Sequence, residues 1–243
     1  GKTWKKIGPI NDGREYITIQ PSILVHGDNK LQILCRSRNR AIIESWSYDN
    51  GKTWTPMKKS MLPNGNSGTD AVTLQNGNHL LVYNHVLPHD TLKNGKGLRT
   101  PLNAAISEDG KTWYATNILE DSPISQYSYP SVIQSKDGMV HIVYTWRRKA
   151  IKYVKLDPSK LIWSKIEDRK WPSMTEGSEV QIVNNKRYKI SVCDWMMLKR
   201  QKIGAIQLAR AVTDHLQNHV FQKKNYLCKK IVSSCHLTNN SMH

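Results

Sequence analysis

Phenylalanine is nearly missing from this 243-residue chain: Phe221 stands alone against eight Trp and ten Tyr. Rings that carry a polar handle suit half-buried strands better than a Phe- and Leu-packed helical bundle. Long apolar runs are missing too. None approaches the ~18 residues that a bilayer-crossing helix needs, and no lipidation signal is present, which excludes a membrane-spanning helix. Of four cysteines only Cys35 falls in the first 159 residues, so no disulfide framework supports that part. Metal and phosphate signatures are lacking as well. There is no Cys-x-x-Cys pair, His215 and His219 have neither a Glu after His215 nor a third ligand, and no Gly-rich phosphate loop occurs. Acidic residues are scarce, 19 against 36 Lys and Arg, for a net charge of +17. The excess is densest from residue 160 onward, where 15 basic residues meet 6 acidic ones. A basic surface attracts nucleic acid, anionic lipid or an acidic sugar alike, so charge alone does not select a partner.

What is present is repetition. Ser47-Tyr48-Asp49-Asn50-Gly51-Lys52-Thr53-Trp54 recurs, one residue shorter, as Ser107-Glu108-Asp109-Gly110-Lys111-Thr112-Trp113, and its second half stands at Gly1-Lys2-Thr3-Trp4. Trp4 and Trp54 are 50 residues apart, Trp54 and Trp113 59, the period of one propeller blade. The stretches between align as well. Pro21–Val25, a turn at Gly27-Asp28-Asn29 and Leu31–Arg36 match Asp70–Leu74, Asn76-Gly77 and His79–His85, then Tyr129–Ile133, Asp137-Gly138 and Met139–Trp146. Asn-Gly and Asp-Gly supply the positive φ of tight hairpins, so each copy predicts two antiparallel strands. Ala41–Trp46, Leu102–Ile106 and Ala150–Val154 supply a third. The expected fold is all-β, successive antiparallel blades of a β-propeller. Because Gly1 opens inside a repeat motif, the chain is expected to be a fragment.

After Pro158 the pattern stops. Glu179–Val183 and Tyr188–Val192 suggest one more hairpin, and Leu208, Val212, Leu216 and Val220 recur every four residues as on an amphipathic helix. Two parts are therefore expected: residues 1–159, the partial propeller, and 160–243, a basic segment of uncertain α+β character.

The Ser-x-Asp-x-Gly-x-Thr-Trp string resembles the Asp-box, or BNR repeat, of sialidase-like β-propellers, and the resemblance implies a partial six-bladed β-propeller with about three blades present. Asn66–Val72, Tyr83-Asn84-His85, Leu98–Asn103, Tyr127–Pro130 and Tyr144–Arg148 resemble BNR-repeat proteins of bacteria and plants in particular. Asp49, Asp109, Trp54 and Trp113 are read as structural, since turn chemistry accounts for every fixed position of the box. Function is expected where the copies differ. At the end of the second strand they carry Cys35-Arg36-Ser37-Arg38, then Asn84-His85, then Trp146-Arg147-Arg148, so the blade mouths present Arg, His and Arg.

Guanidinium groups grip a carboxylate with paired, charge-assisted hydrogen bonds. The resemblance implies such a pocket, because sialidases hold the substrate carboxylate with three Arg, attack with a Tyr assisted by a Glu, and use an Asp as acid/base. Arg36, Arg99 and Arg147 are the substrate-binding candidates, with Arg38 and Arg148 as neighbours able to substitute, and Tyr129 joins them. Asp70 is the acid/base candidate. Tyr83 and His85, two apart on one strand face, complete the catalytic set, and Glu120 is a further partner. The expected function is a sialidase-like glycoside hydrolase acting on an acidic carbohydrate. The alternatives are a polysaccharide lyase, in which Arg neutralises a uronic acid and Tyr83 or His85 takes the α-proton, and a non-catalytic propeller binding module. None of these needs a cofactor or metal. Nucleic-acid binding by the basic tail is the weakest option.

Overall fold

The computed structural model describes residues 2–88, 97–122 and 126–172, and the backbone of the strand at 185–189. Three antiparallel sheets follow one another along the chain. Strands are numbered β1 to β13 in chain order. The first blade is β1 (Thr18–Val25), β2 (Leu31–Ser37), β3 (Ala41–Ser47) and β4 (Lys58–Pro63), paired in that order. In the second, β5 (Asp70–Thr73), β6 (His79–Tyr83), β7 (Leu102–Ser107) and β8 (Tyr114–Glu120) are extended by β12 (Ser164–Lys165). The third runs β9 (Tyr127–Gln134), β10 (Val140–Trp146), β11 (Ala150–Leu156) and β13 (Asn185–Lys189). No α-helix occurs among the described residues, and one 3₁₀ turn, Pro158–Lys160, follows β11. The chain is a partial propeller, as the repeats predict.

The strands form where the sequence alternates or runs apolar, and the turns close where expected. Gly77 N–H donates to the Leu74 carbonyl at 2.9 Å and Gly138 N–H to that of Ser135 at 3.0 Å. Both Asp-boxes turn the chain from the third strand of a blade to the fourth. Asp49 accepts from Thr53 N–H at 2.8 Å, Thr53 Oγ1 at 2.6 Å and Ser47 Oγ at 2.8 Å, and Asp109 repeats the pattern with Thr112 and Ser107. These bonds hold the Asp49 carboxyl down at about 2. Ser47, where the first box begins, lies opposite Leu31, whereas Cys35 lies opposite Ile43, so the box and Arg36 occupy opposite ends of blade one.

Packing between blades makes the core. Leu24, Leu34, Ile42, Leu62, Leu81, Tyr83 and Trp113 fill the space between blades one and two. Leu80, Val82, Leu102, Tyr127, Ile142, Tyr144 and Val154 do so between two and three. Ile166 and Trp171 join the first of these clusters, and Ile166 N–H donates to the Trp113 carbonyl, so residues just past 159 are built into the propeller. In place of the strand expected at Tyr188–Val192, the described strand runs Asn185–Lys189 and pairs with β11. Residues 179–183 and the predicted helix around 208–220 lie outside the described residues. On β1, Ser22 and Leu24 are buried while Ile19, Ile23 and Val25 are 55, 56 and 49 % exposed. Ile23 and Val25, opposite Ile33 and Leu31, therefore turn away from blade two, while Ile19, beyond the register shift at Gln20, lies opposite Arg36.

Polar contacts add precise links between blades. Asp70, first residue of β5, accepts from Ser22 Oγ of β1 at 2.8 Å, from Ala71 N–H at 3.0 Å and from Val132 N–H of β9 at 2.9 Å. One carboxylate thus ties together the three innermost strands. At the Asp-box end a second link forms, His79 Nε2 to His26 Nδ1 at 3.0 Å, with His79 Nδ1 on Thr73 Oγ1 and His26 Nε2 on Gln32 Oε1. Burial lowers both imidazoles, His79 to about 4. Between blades two and three, Glu120 accepts from Tyr144 Oη at 2.7 Å and from Lys152, two buried partners that give it a structural role.

Candidate functional site

The inner strands of blades one and three start alike. Gln20-Pro21 and Tyr129-Pro130 both place a non-glycine residue in the left-handed region, φ +57° and +53°, next to a register shift. That geometry costs about 1–3 kcal/mol for a bulky residue and swings its side chain out of the strand's alternation. At the corresponding point of blade two stands Gly68, where an added Cβ would fall 3.1 Å from Tyr129 Cδ1 and 3.5 Å from Gln20 Oε1. Glycine there makes room for both neighbours.

Two loops bring the guanidinium groups to this place. Arg36, near the end of β2, donates from Nε to Asn66 Oδ1 at 2.9 Å and from Nη1 to Gln20 Oε1 at 3.0 Å. Arg99 arrives on the loop before β7. A Cβ on Gly65 would fall 2.8 Å from Gly97 Cα, so two glycines let that loop cross directly over the one carrying Asn66. The Arg99 guanidinium lies over the Tyr129 ring, 5.4 Å from its centroid, and its backbone carbonyl accepts from Tyr127 N–H at 2.9 Å. Its Nη1 is buried without a hydrogen-bond partner. Burial raises the Tyr129 phenol, but hydrogen bonds and positive charge from Arg99 and Arg36 outweigh this and bring it below its ordinary value of 10.0. Tyr129 remains 45 % exposed. Arg36, Arg99 and Tyr129 therefore form one basic mouth at the head of the inner strands, and neither guanidinium has a carboxylate partner among the described residues.

The remaining predicted site residues are engaged with other partners. Arg147 donates from Nε to Tyr127 Oη at 3.3 Å and from Nη2 to Ser122 Oγ at 3.0 Å, and its guanidinium lies 4.7 Å from the Trp146 ring. Strand register sets the level of each residue. Arg36 opposes Ile19 and Thr145 opposes Ser128, so Arg36 is level with Thr145, and Arg147 is level with Arg38. Blade two places Asn84 at that level, not His85, so the mouths do not present Arg, His and Arg at equivalent positions. Tyr83 and His85 do share a face and bond at 2.6 Å, Oη to Nδ1. They lie under cover, for His85 Nε2 meets the Arg169 carbonyl at 2.9 Å and its ring packs edge-on to Trp171. Burial pushes the Tyr83 phenol well above its ordinary range and lowers His85 to about 4. Asp70 is occupied in linking the strands, and burial, the largest influence on it, raises its carboxyl. Gln20 and Asn66, which hold Arg36, escaped the sequence reading. For the first, the available signal was the proline shared at 21 and 130; the repeats as aligned above set Pro21 against Tyr129, one residue out of the observed register.

A family model described as a BNR repeat-like domain matches residues 1–142. The chain belongs to this family. No curated protein matches the BNR repeat-like chain. Among solved structures, a point mutant of the NanB sialidase from Streptococcus pneumoniae superposes with a TM-score of 0.50 at 16% identity, covering 67% of this chain and 26% of that one. The intramolecular trans-sialidase from Ruminococcus gnavus, in complex with oseltamivir carboxylate, gives 0.44 at 16% identity over 62% of this chain and 34% of that one. A GH43 endo-arabinanase from Bacillus licheniformis gives 0.42 at 16% over 59% and 52%. The NanB likeness is one of fold, and the BNR repeat-like chain spans about a quarter of that sialidase.

Proposed function

We propose that this chain supplies part of the substrate wall of a sialidase-like glycoside hydrolase acting on an acidic, carboxylate-bearing sugar. The observation that supports the reading is the pair of guanidinium groups, Arg36 and Arg99, flanking an exposed phenol with no acidic side chain among the described residues to neutralise them. A carboxylate arriving there meets N–H donors in the planar geometry it needs. Arg99, with an unpartnered N–H group, is the anchor in this scheme. Tyr129 carries a phenol whose anionic form the two cations favour, so it can act on a ligand as well as orient it.

That same phenol favours a second reading, a polysaccharide lyase on a uronic acid. Beside a carboxylate neutralised by Arg, a phenolate is placed to take the α-proton. Product analysis separates the two, because a lyase leaves an unsaturated sugar that absorbs in the near ultraviolet. Asp70, with three partners, and His85, beneath Trp171, are carried as secondary candidates for proton transfer.

The test is Arg99→Ala in the protein, assayed on acidic glycosides and uronate-containing polysaccharides. Loss of a desolvated charge partner typically costs ~2–5 kcal/mol, so turnover or binding is expected to fall by at least about thirtyfold. Full activity in Arg99→Ala would exclude the acidic-sugar pocket. Specific sugar binding with no turnover of any acidic substrate would make the protein a binding module.

A further inference from the structure

Arg36 is held by two side-chain amides, with no carboxylate partner among the described residues. The buried Lys152, by contrast, is received by a carboxylate, that of Glu120. Arg36 instead donates to two neutral amide oxygens, Asn66 Oδ1 at 2.9 Å and Gln20 Oε1 at 3.0 Å. An amide oxygen fixes direction without cancelling charge, and these two bonds use only two of the five guanidinium N–H groups. Both acceptors also stand on left-handed backbone, Gln20 at φ +57° and Asn66 at φ +59°, and Tyr129 beside them at φ +53°. Asn tolerates that region, but Gln and Tyr occupy it at a cost, and such strain gathers where a side chain must be aimed.

We propose that Gln20 and Asn66 are positioning residues for ligand binding at this mouth: they lock the Arg36 guanidinium through uncharged oxygens and so leave its charge available to an acidic ligand. The inference rests on the carboxylate-binding reading above and adds to it the two residues that make Arg36 effective. It also explains the choice of side chains. Glu at 20 or Asp at 66 would keep nearly the same shape and the same hydrogen bond, yet would neutralise Arg36 with an internal ion pair.

The experiment uses those two isosteric changes, Gln20→Glu and Asn66→Asp, singly and together, in the protein. Two readouts are taken. Glucuronate and N-acetylneuraminate are titrated calorimetrically, and the Tyr129 phenol is titrated by its phenolate absorbance, isolated by difference against Tyr129→Phe. Each acidic variant is expected to bind the acidic sugar at least about tenfold more weakly and to titrate Tyr129 at higher pH, because the new carboxylate offsets the Arg36 charge. Circular dichroism identifies a variant that fails to fold, and Gln20→Glu alone then carries the test. An unmoved Tyr129 titration in folded variants overturns the inference whatever the sugars do, as does unchanged sugar binding where the unsubstituted protein binds. If the unsubstituted protein binds neither sugar but Tyr129 shifts in the acidic variants, the free charge of Arg36 stands and the acidic-sugar reading falls.

Discussion

At the scale of single residues, side chains of similar chemistry have been put to opposite uses. Tyr129 is half exposed between two cations, whereas Tyr83 is sealed against His85, so the two phenols move in opposite directions from the same ordinary value. Asp70 shows how burial converts a reactive group into a tie. Asp70→Ala leaves Val132 N–H and Ser22 Oγ without their acceptor, and a loss of about 3 kcal/mol in urea-unfolding stability is expected. Asp70→Asn, which keeps an acceptor oxygen, should lose less. Histidines set the response to acid. His79 and His85 titrate near 4 in the folded chain against an ordinary 6.5, so between those values the unfolded chain binds more protons. Stability is therefore expected to be full above about pH 6.5 and to fall as pH drops towards 4. Thermal melts across pH 4–7 check this, and His79→Gln should flatten the slope.

Among elements, the Asp-box turns and the mouth loops divide the work. The boxes close one end of each blade with bonds internal to a turn, while the mouth is built at the other end by residues from separate blades. Asp49→Ala is accordingly expected to lower the melting temperature and leave sugar binding per folded molecule unchanged, measured by scanning calorimetry beside titration. The same division explains what could be read in the sequence. Hairpin turns, Asp-boxes and the first three strands of each blade depend on near neighbours and were legible. Strand β4, polar at Lys58-Lys59-Ser60, and the closing strands β12 and β13, supplied from 44 and 29 residues beyond their partners' ends, depend on distant pairing and were not. For the mouth, Arg36, Arg99 and Tyr129 were legible as residue types. That Asp70 would bond to β1 and β9, or that Trp171 would lie on His85, is a property of blades meeting, which no local pattern encodes.

On the scale of the whole molecule, the inner strands govern behaviour. Ile23 and Val25 form an exposed apolar strip on the face of blade one that is turned away from blade two. Such a face favours association, so the isolated chain is expected to self-associate, and Ile23→Lys with Val25→Lys should shift light scattering towards monomer. An unchanged mass distribution would mean that this row is not the sticky surface. The tie between blades has a spectroscopic use. Val132 N–H is hydrogen-bonded to the Asp70 carboxylate of the neighbouring blade, not to a carbonyl of its own sheet. Its exchange with deuterated solvent therefore cannot be slowed by an intact third sheet alone. That single amide should lose protection when blades two and three part, ahead of the amides within β10, and it serves as a built-in reporter that separates opening between sheets from unfolding within them.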